Sequence, residues 1–139
     1  MAAVREEVRL ADRVAMPALR VSLGLVFVWF GLLKVVGETP IAALLEASVP
    51  WVDPDLLVPG LGWFEVVLGV ALVVGRYLRA VLAAMGAHLL GTFIVFVQAP
   101  GMAFAGGNPL LLTVNGEFVL KNLVLLCAVL VLFAEHERR

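Results

Sequence analysis

Charged side chains are scarce in this 139-residue sequence, in which Asp, Glu, Lys and Arg together make up only 15%. Soluble domains carry about 25% charged residues and roughly 45–50% apolar ones, whereas 63% of this chain is hydrophobic. A soluble fold of this length leaves too much of its surface in water to hide that many apolar side chains. The composition excludes an ordinary soluble domain and predicts an integral membrane protein.

Cysteine and basic clusters are also nearly absent. Cys127 is the only cysteine, so the chain has no intramolecular disulfide and no CxxC pair for dithiol chemistry of its own. A net charge of −1 without a basic patch gives no reason to expect a nucleic-acid partner. The charged start of the chain lacks a signal-peptide cleavage pattern, so we expect the first apolar segment to remain as a helix.

Long apolar stretches are what the sequence has in abundance. A membrane helix needs about 20 mainly apolar residues, and four such stretches lie at 14–36, 56–75, 78–98 and 116–134. Pro17 and Pro59 fall where we expect first helical turns, in which proline is tolerated. The sequence therefore predicts one membrane domain over residues 1–139, an all-α bundle of four transmembrane helices.

Positive charges predict the direction of this bundle. Apart from Lys34 and Lys121, every Lys and Arg lies before or at the start of the first span, around the turn between spans two and three, or at the C-terminus. The loops on the opposite side carry acidic residues instead. By the positive-inside rule, both termini are expected to face the cytoplasm.

The two long loops have features of their own. Thr39 and Pro40 have the pattern of an N-cap and a first-turn proline, which predicts a short interfacial helix ending before Pro50. The second loop, APGMAFAGGNPLLLTVN, is apolar, glycine-rich and uncharged. We expect it to dip onto or between the helices, where protein or water must cover its backbone.

Every predicted span carries polar side chains in its middle or outer half, and such groups are costly in lipid and are candidate functional groups. They are Lys34, Glu65, His88, Gln98, Glu117, Lys121 and Asn122. Glu117 and Lys121 are spaced i, i+4 with the acid first, which favours an ion pair. Lys34 is then expected to pair with Glu65. The set predicts a polar pocket that binds a headgroup and moves protons; the alternative is that it only holds the helices in register.

His88 is compatible with three interpretations. It could form an interhelical hydrogen bond, donate a proton beside a quinone or other redox ligand, or ligate a metal or haem. No HxxxH or HExxH spacing occurs, and the second histidine, His136, lies in the C-terminal tail. We therefore predict no metal site.

Aromatic and small residues add two further expectations. Trp29 and Trp63, together with Phe30, are expected to line a flat slot beside the predicted Lys–Glu pair; the alternative is that both tryptophans are interfacial or lipid-facing anchors. Small residues in the spans favour close helix packing. The AxxxA pattern of the third span, Ala80–Ala84 and Ala83–Ala87, is also compatible with a homo-oligomer.

Three stretches resemble the DoxX family of small four-helix bacterial membrane proteins: RVSLGLVFVWFGLLK, GWFEVVLGVALVVG and GEFVLKNLVLL. The resemblance runs from Arg20 to Ala134 and implies a multi-pass protein of the bacterial cytoplasmic (plasma) membrane. Similar proteins are linked to thiosulfate oxidation with a quinone acceptor, or associate with thiol-handling and oxidative-stress enzymes. The family's polar positions, which carry no catalytic assignment, correspond to Lys34, Glu65, Glu117, Lys121 and Asn122.

Three functions are compatible with these observations, and whether the protein is an enzyme stays open. The first is a membrane subunit of a redox system with a quinone-like ligand and a membrane-associated oxidoreductase as partner. The second is a non-catalytic scaffold that recruits a soluble thiol or oxidative-stress enzyme. The third is a small-solute carrier, which the lack of an internal repeat disfavours. The redox hypothesis assigns proton handling to Glu65, His88 and Lys121, and ligand binding to Trp29, Lys34, Trp63, Gln98, Glu117 and Asn122.

Overall fold

The computed structural model describes residues 1–139, and it consists of helices joined by short connections. Four segments are long and apolar enough to cross a membrane: Ala2–Val35, Pro54–Val74, Leu78–Gln98 and Val114–Arg138. The predicted four-helix membrane bundle is therefore confirmed. The helices in chain order are α1 (Ala2–Val35), α2 (Ala42–Ser48), α3 (Pro54–Val74), α4 (Leu78–Thr92), α5 (Val95–Gln98), α6 (Pro100–Ala103), α7 (Val114–Leu120) and α8 (Asn122–Arg138).

The first and second spans begin earlier than the sequence predicted. Helix α1 has 34 residues, which corresponds to about 51 Å at a rise of 1.5 Å per residue and exceeds a hydrocarbon core of about 30 Å. Pro17 and Pro59 both lie inside their helices, so their placement in first turns was wrong. Helix α1 begins in the charged segment that precedes the apolar stretch. Helix α3 begins after Asp53, whose side chain caps it by accepting a hydrogen bond from the Asp55 amide at 3.0 Å.

The loop after α1 contains the short helix that the sequence predicted, and α2 ends before Pro50. The predicted capping was wrong, because α2 begins at Ala42 with Ile41 at its N-cap and no side-chain cap. Thr39 and Pro40 precede the helix. Helix α2 buries Leu44 and Ser48 against the bundle, and so covers the end of the bundle that carries the long loops. We call this the loop end; the opposite end carries both termini.

The second long loop folds onto the start of the fourth span. Its Ala103 is fully buried, and the Ala103 carbonyl accepts a hydrogen bond from the Thr113 amide at 2.9 Å. The Thr113 side chain in turn caps α7 by accepting from the Gly116 amide at 3.1 Å. Residues 105–111 are exposed, so the middle of the loop is not covered by the bundle.

Two pairs of glycines bring α1 and α3 into backbone contact. A Cβ atom added to Gly31 would lie 2.6 Å from the Gly62 carbonyl oxygen. A Cβ atom added to Gly69 would lie 2.6 Å from the Gly24 carbonyl oxygen. Gly24 and Gly31 are two turns apart on one helix, as are Gly62 and Gly69 on the other, so each pair of glycines shares one face. At these glycines the two antiparallel helices approach closely, with valine side chains such as Val28 and Val73 packed against the glycine backbone, as small-residue interfaces in membranes allow.

The buried apolar side chains form two clusters. The larger cluster lies toward the termini: Leu23, Phe27, Leu68, Leu72, Val81, Leu82, Met85, Leu89, Val129 and Leu132. The smaller one lies at the loop end: Ile41, Leu44, Val95, Ala99 and Val119. The polar side chains Lys34 and Glu65 fall between these clusters in sequence. Lys34 and Glu65 are thus buried charged side chains among mainly apolar ones.

Substitution of Gly69 by alanine tests the glycine contact. The added Cβ would meet the Gly24 carbonyl oxygen at 2.6 Å and the Val28 backbone nitrogen at 2.8 Å. The helices must separate, and we expect a loss of about 1–3 kcal/mol of unfolding free energy, typical of overpacking. Gly86→Ala is the control, because its nearest neighbour would be Val129 Cγ1 at an ordinary 3.7 Å. Equal stability of the two variants in detergent unfolding would contradict this interface.

Candidate functional site

A buried glutamate joins three of the four spans. Lys34 Nζ donates a hydrogen bond to Glu65 Oε2 at 2.8 Å, and His88 Nε2 lies 2.8 Å from the other carboxylate oxygen. The side chains of Lys34, Glu65 and His88 are only 6%, 9% and 12% exposed. The predicted Lys34–Glu65 ion pair is confirmed, and His88 forms the interhelical hydrogen bond that was one of its three interpretations.

Local packing places Lys34 and Glu65 side by side. Lys34 lies in the last turn of α1, where a cation is favoured by the helix dipole. Gly62 faces it: a Cβ at Gly62 would lie 2.9 Å from the Lys34 Cβ. Glu65 follows three residues after Gly62 and so lies on the same side of α3. The glycine contact thus makes room for the lysine stem and brings the carboxylate within its reach.

Aromatic rings enclose the histidine at the other side of the carboxylate. Phe27 and Phe64 both meet the His88 ring edge to face, with centroids 6.1 and 5.6 Å away. No buried side-chain nitrogen or oxygen lacks a hydrogen-bond partner. Both carboxylate oxygens of Glu65 are paired within an apolar surround, where an unpaired charge would be very costly.

The triad forms one wall of a cavity of about 660 Å³. Apolar side chains supply most of the lining, and Phe30 from α1 and Phe118 from α7 meet inside it with ring centroids 5.5 Å apart. Helix α2 covers the cavity at the loop end through Leu44 and Ser48. A few polar groups that converge in a mostly apolar cavity are typical of a small-molecule site.

The fourth span contributes Lys121 and Asn122 to the cavity lining. The Asn122 side-chain amide donates to the Thr92 hydroxyl at 2.9 Å, and this hydroxyl donates to the Leu89 carbonyl at 2.6 Å. Lys121 lies at the junction between α7 and α8, and its ammonium group forms no ion pair within 4.0 Å. It is thus a cation at the cavity wall without a carboxylate partner.

The predicted Glu117–Lys121 ion pair was wrong. Only the backbones of the two residues bond, from the Lys121 amide to the Glu117 carbonyl at 3.1 Å. The backbone stays helical at Lys121, with φ −57° and ψ −25°, so the two residues are one turn apart and yet their side chains form no ion pair within 4.0 Å. An exposed i, i+4 pair contributes only about 0.2–0.5 kcal/mol, which is too little to hold the lysine away from the cavity.

Four other predicted ligand-binding residues lie outside the cavity lining. Trp29 and Trp63 are 66% and 57% exposed on the outer surface of the bundle. Gln98 and Glu117 are exposed near the loop end. The structure brings Lys34, Glu65, His88, Lys121 and Asn122 to one cavity but not these four, whose part in ligand binding stays a prediction from the sequence.

Sequence reasoning missed Thr92 and the contribution of α2. Thr92 follows His88 by four residues and therefore shares its helix face, a signal that could have identified it. Helix α2 carries no comparable signal, because Leu44 and Ser48 reach the cavity only through the way the loop folds back over the bundle. Phe27 could also have been identified, since it precedes Lys34 by two helical turns.

A double-mutant cycle tests the coupling of the buried pair. We expect Lys34→Met to lower the unfolding free energy by about 3–5 kcal/mol, because it leaves a buried carboxylate without its cation. Adding Glu65→Gln should restore part of this loss, since the amide oxygen is neutral and can still accept from His88. Reversible unfolding in detergent micelles measures both changes.

The control cycle uses the same kinds of substitution at the exposed pair Arg79–Glu137, whose atoms lie 3.4 Å apart. Surface pairs contribute about 0–1 kcal/mol, so Arg79→Met and Glu137→Gln should be nearly additive. Additive losses at Lys34 and Glu65 as well would contradict the buried coupling.

Comparison with known proteins gives one match. The family model DoxX matches residues 15–98, which is more than half of the chain and contains Lys34, Glu65 and His88. The fourth span, with Lys121 and Asn122, lies beyond the matched residues. No curated protein and no solved structure matches the chain. With four membrane-spanning helices and this match, the protein is an integral membrane protein that belongs to the DoxX family.

Proposed function

We propose that this protein is the membrane subunit of a redox system and that its cavity binds a quinone-like ligand. The observation that carries the proposal is the buried Lys34–Glu65–His88 triad at the wall of an apolar cavity. A quinone matches such a site, because its ring is apolar like the cavity lining and its carbonyl oxygens accept hydrogen bonds from donors such as Lys34 and His88. The cavity volume falls within the range of about 300–1,000 Å³ that is usual for small-molecule sites.

Each polar residue has a distinct task in this proposal. Lys34 and His88 both contact Glu65, so either can donate to a ring carbonyl while the carboxylate keeps its other partner. Reduction of a quinone to a quinol takes up two electrons and two protons, and the triad is a path for those protons. Lys121, which has no carboxylate partner, stabilises negative charge that develops on the ring oxygen.

The electrons come from a partner in this proposal. Similar proteins suggest a membrane-associated oxidoreductase that oxidises a thiol or a reduced sulfur compound, with electrons passed to the quinone. The exposed helical residues 2–13 extend beyond the apolar stretch at the end that carries the termini. They offer a contact surface for such a soluble enzyme, and they also favour the second candidate function, a scaffold without redox chemistry of its own.

Quinone binding by the purified protein distinguishes these functions. We expect the wild type to bind a soluble quinone analogue in a titration followed by tryptophan fluorescence. Glu65→Gln and Lys121→Ala should each weaken binding about tenfold or more, equivalent to about 1.4 kcal/mol, because each removes a charged group from the cavity wall. Glu46→Gln on the exposed face of α2 is the matched control and should bind as the wild type does.

Failure of the folded wild type to bind any quinone would overturn the redox proposal. If that protein still captured an intact thiol-oxidising enzyme, and a variant lacking residues 2–13 did not, the scaffold would be favoured. Equal binding by wild type and Glu65→Gln would show that the triad only holds the helices together.

We further propose that the protein lies in the bacterial cytoplasmic membrane with both termini in the cytoplasm, as its positive charges favour. In a Cys127→Ala background, Glu38→Cys at the loop end should react with a membrane-impermeant thiol reagent in intact cells. Arg76→Cys, in the turn at the opposite end, should react only after permeabilisation. The reverse pattern would place the loop end in the cytoplasm.

A further inference from the structure

We propose that α2 belongs to a lid that opens and closes over the cavity, and that the ligand enters and leaves at the loop end when this lid opens. The lid is defined as residues 39–52, which comprise α2 and the turns on either side of it. The inference rests on the proposed function for its ligand, a quinone-like molecule. The opening of the lid is a property of the fold and is measurable without a ligand.

The lid forms one side of the cavity. Its lining residues are Ile41, Leu44, Leu45, Ser48 and Val49. Two of them, Ile41 and Leu44, are buried in the loop-end cluster together with Val95, Ala99 and Val119. While these contacts hold, the lid blocks passage between the cavity and the loop end.

Apolar contacts alone hold the lid on the bundle. Every hydrogen bond of residues 39–52 has both of its atoms within those residues, as in the bond from the Ser48 hydroxyl to the Leu44 carbonyl at 2.7 Å. Glu46 is the one charged residue of the lid, and it forms no ion pair within 4.0 Å. Apolar contacts have no preferred direction, and lipid tails replace them at little cost. The lid therefore leaves the bundle without breaking a hydrogen bond.

The second long loop is attached to the bundle in a different way. The Thr113 amide donates to the Ala103 carbonyl at 2.9 Å. The Thr113 hydroxyl donates to the Met102 carbonyl and accepts from the Gly116 amide in the first turn of α7. These bonds tie the loop to the start of the fourth span. Of the two long loops, the one with α2 is thus the one free to move.

The helices on either side of the lid are capped without it. Helix α1 ends in a Schellman motif, in which Gly37 has a φ of +79° and the Glu38 amide donates to the Leu33 carbonyl at 2.9 Å. Helix α3 begins at the cap formed by Asp53 on the Asp55 amide. Neither cap uses an atom of residues 39–52, so the lid can move while both spans keep their ends.

Rates of ligand exchange test the lid through Leu44→Ala, which removes apolar contact between the lid and the bundle. We expect this variant to bind and to release the soluble quinone analogue about tenfold faster, because the open state becomes more populated. Loss of a contact from a static wall would speed release only. Stopped-flow tryptophan fluorescence measures both rate constants.

Leu82→Ala is the matched control for these rates. Leu82 is also an almost fully buried leucine, but it belongs to the cluster toward the termini and does not line the cavity. Its substitution should lower the stability of the bundle and leave both rate constants near those of the wild type.

Hydrogen exchange of the wild type tests the lid without a ligand and without a substitution. Helices α2 and α7 both have seven residues and both lie at the loop end, so α7 is the control for the fraying of a short helix. We expect the hydrogen-bonded amides of α2 to exchange about tenfold or more faster than those of α7, because α2 opens with the lid. Added quinone should slow exchange in α2 more than in α7.

Equal exchange in α2 and α7, or an unchanged association rate in folded Leu44→Ala, would overturn the lid while leaving the proposed quinone site intact. Failure of the wild type to bind any quinone would overturn the proposed function and the quinone route. The comparison of α2 with α7 would then still decide whether the lid opens, so the two failures are distinguishable.

Discussion

The carboxylate of Glu65, shared between Lys34 and His88 inside the membrane bundle, is the interaction on which the rest of the structure depends. Transfer of such charges out of water is favourable only if every one of them is paired and hydrogen-bonded, and both oxygens of this carboxylate have a partner at 2.8 Å. These contacts need α1, α3 and α4 at fixed distances from each other. The close glycine contact between α1 and α3 supplies the first of those distances, because it removes side chains from the interface beside the ion pair.

Charge and shape together define what the cavity can hold. One acid and two lysines face it, and Lys121 lacks a carboxylate partner, so the wall is suited to a neutral ligand that gains negative charge on reaction. The apolar remainder of the lining favours a ring over a hydrated solute. These properties favour the proposed quinone-like ligand over a small-solute carrier, and the two partners of the Glu65 carboxylate stabilise the site without a ligand.

Irregular backbone in the third and fourth spans shapes the site as much as the regular helices do. In lipid, a broken helix must satisfy its backbone groups within the protein, and the Thr92 hydroxyl does this by donating to the Leu89 carbonyl. The same hydroxyl accepts from Asn122, so one residue stabilises the bend and joins two spans. Lys121, at the junction of α7 and α8, also lines the cavity.

Composition and spacing alone determined the number of membrane helices and the short helix before Pro50. They also determined the pairing of Lys34 with Glu65, because an unpaired charge is so costly in hydrocarbon that few alternatives remain. Tertiary structure decided the rest. Lys121 was expected to pair with Glu117 one helical turn away, but the two side chains form no ion pair and Lys121 lines the cavity. Helix α2 covers the cavity because of the way the loop folds, and Trp29 and Trp63 lie outside the cavity because of the rotation of their helices. Both depend on contacts between distant residues, and helical spacing within one span does not specify such contacts.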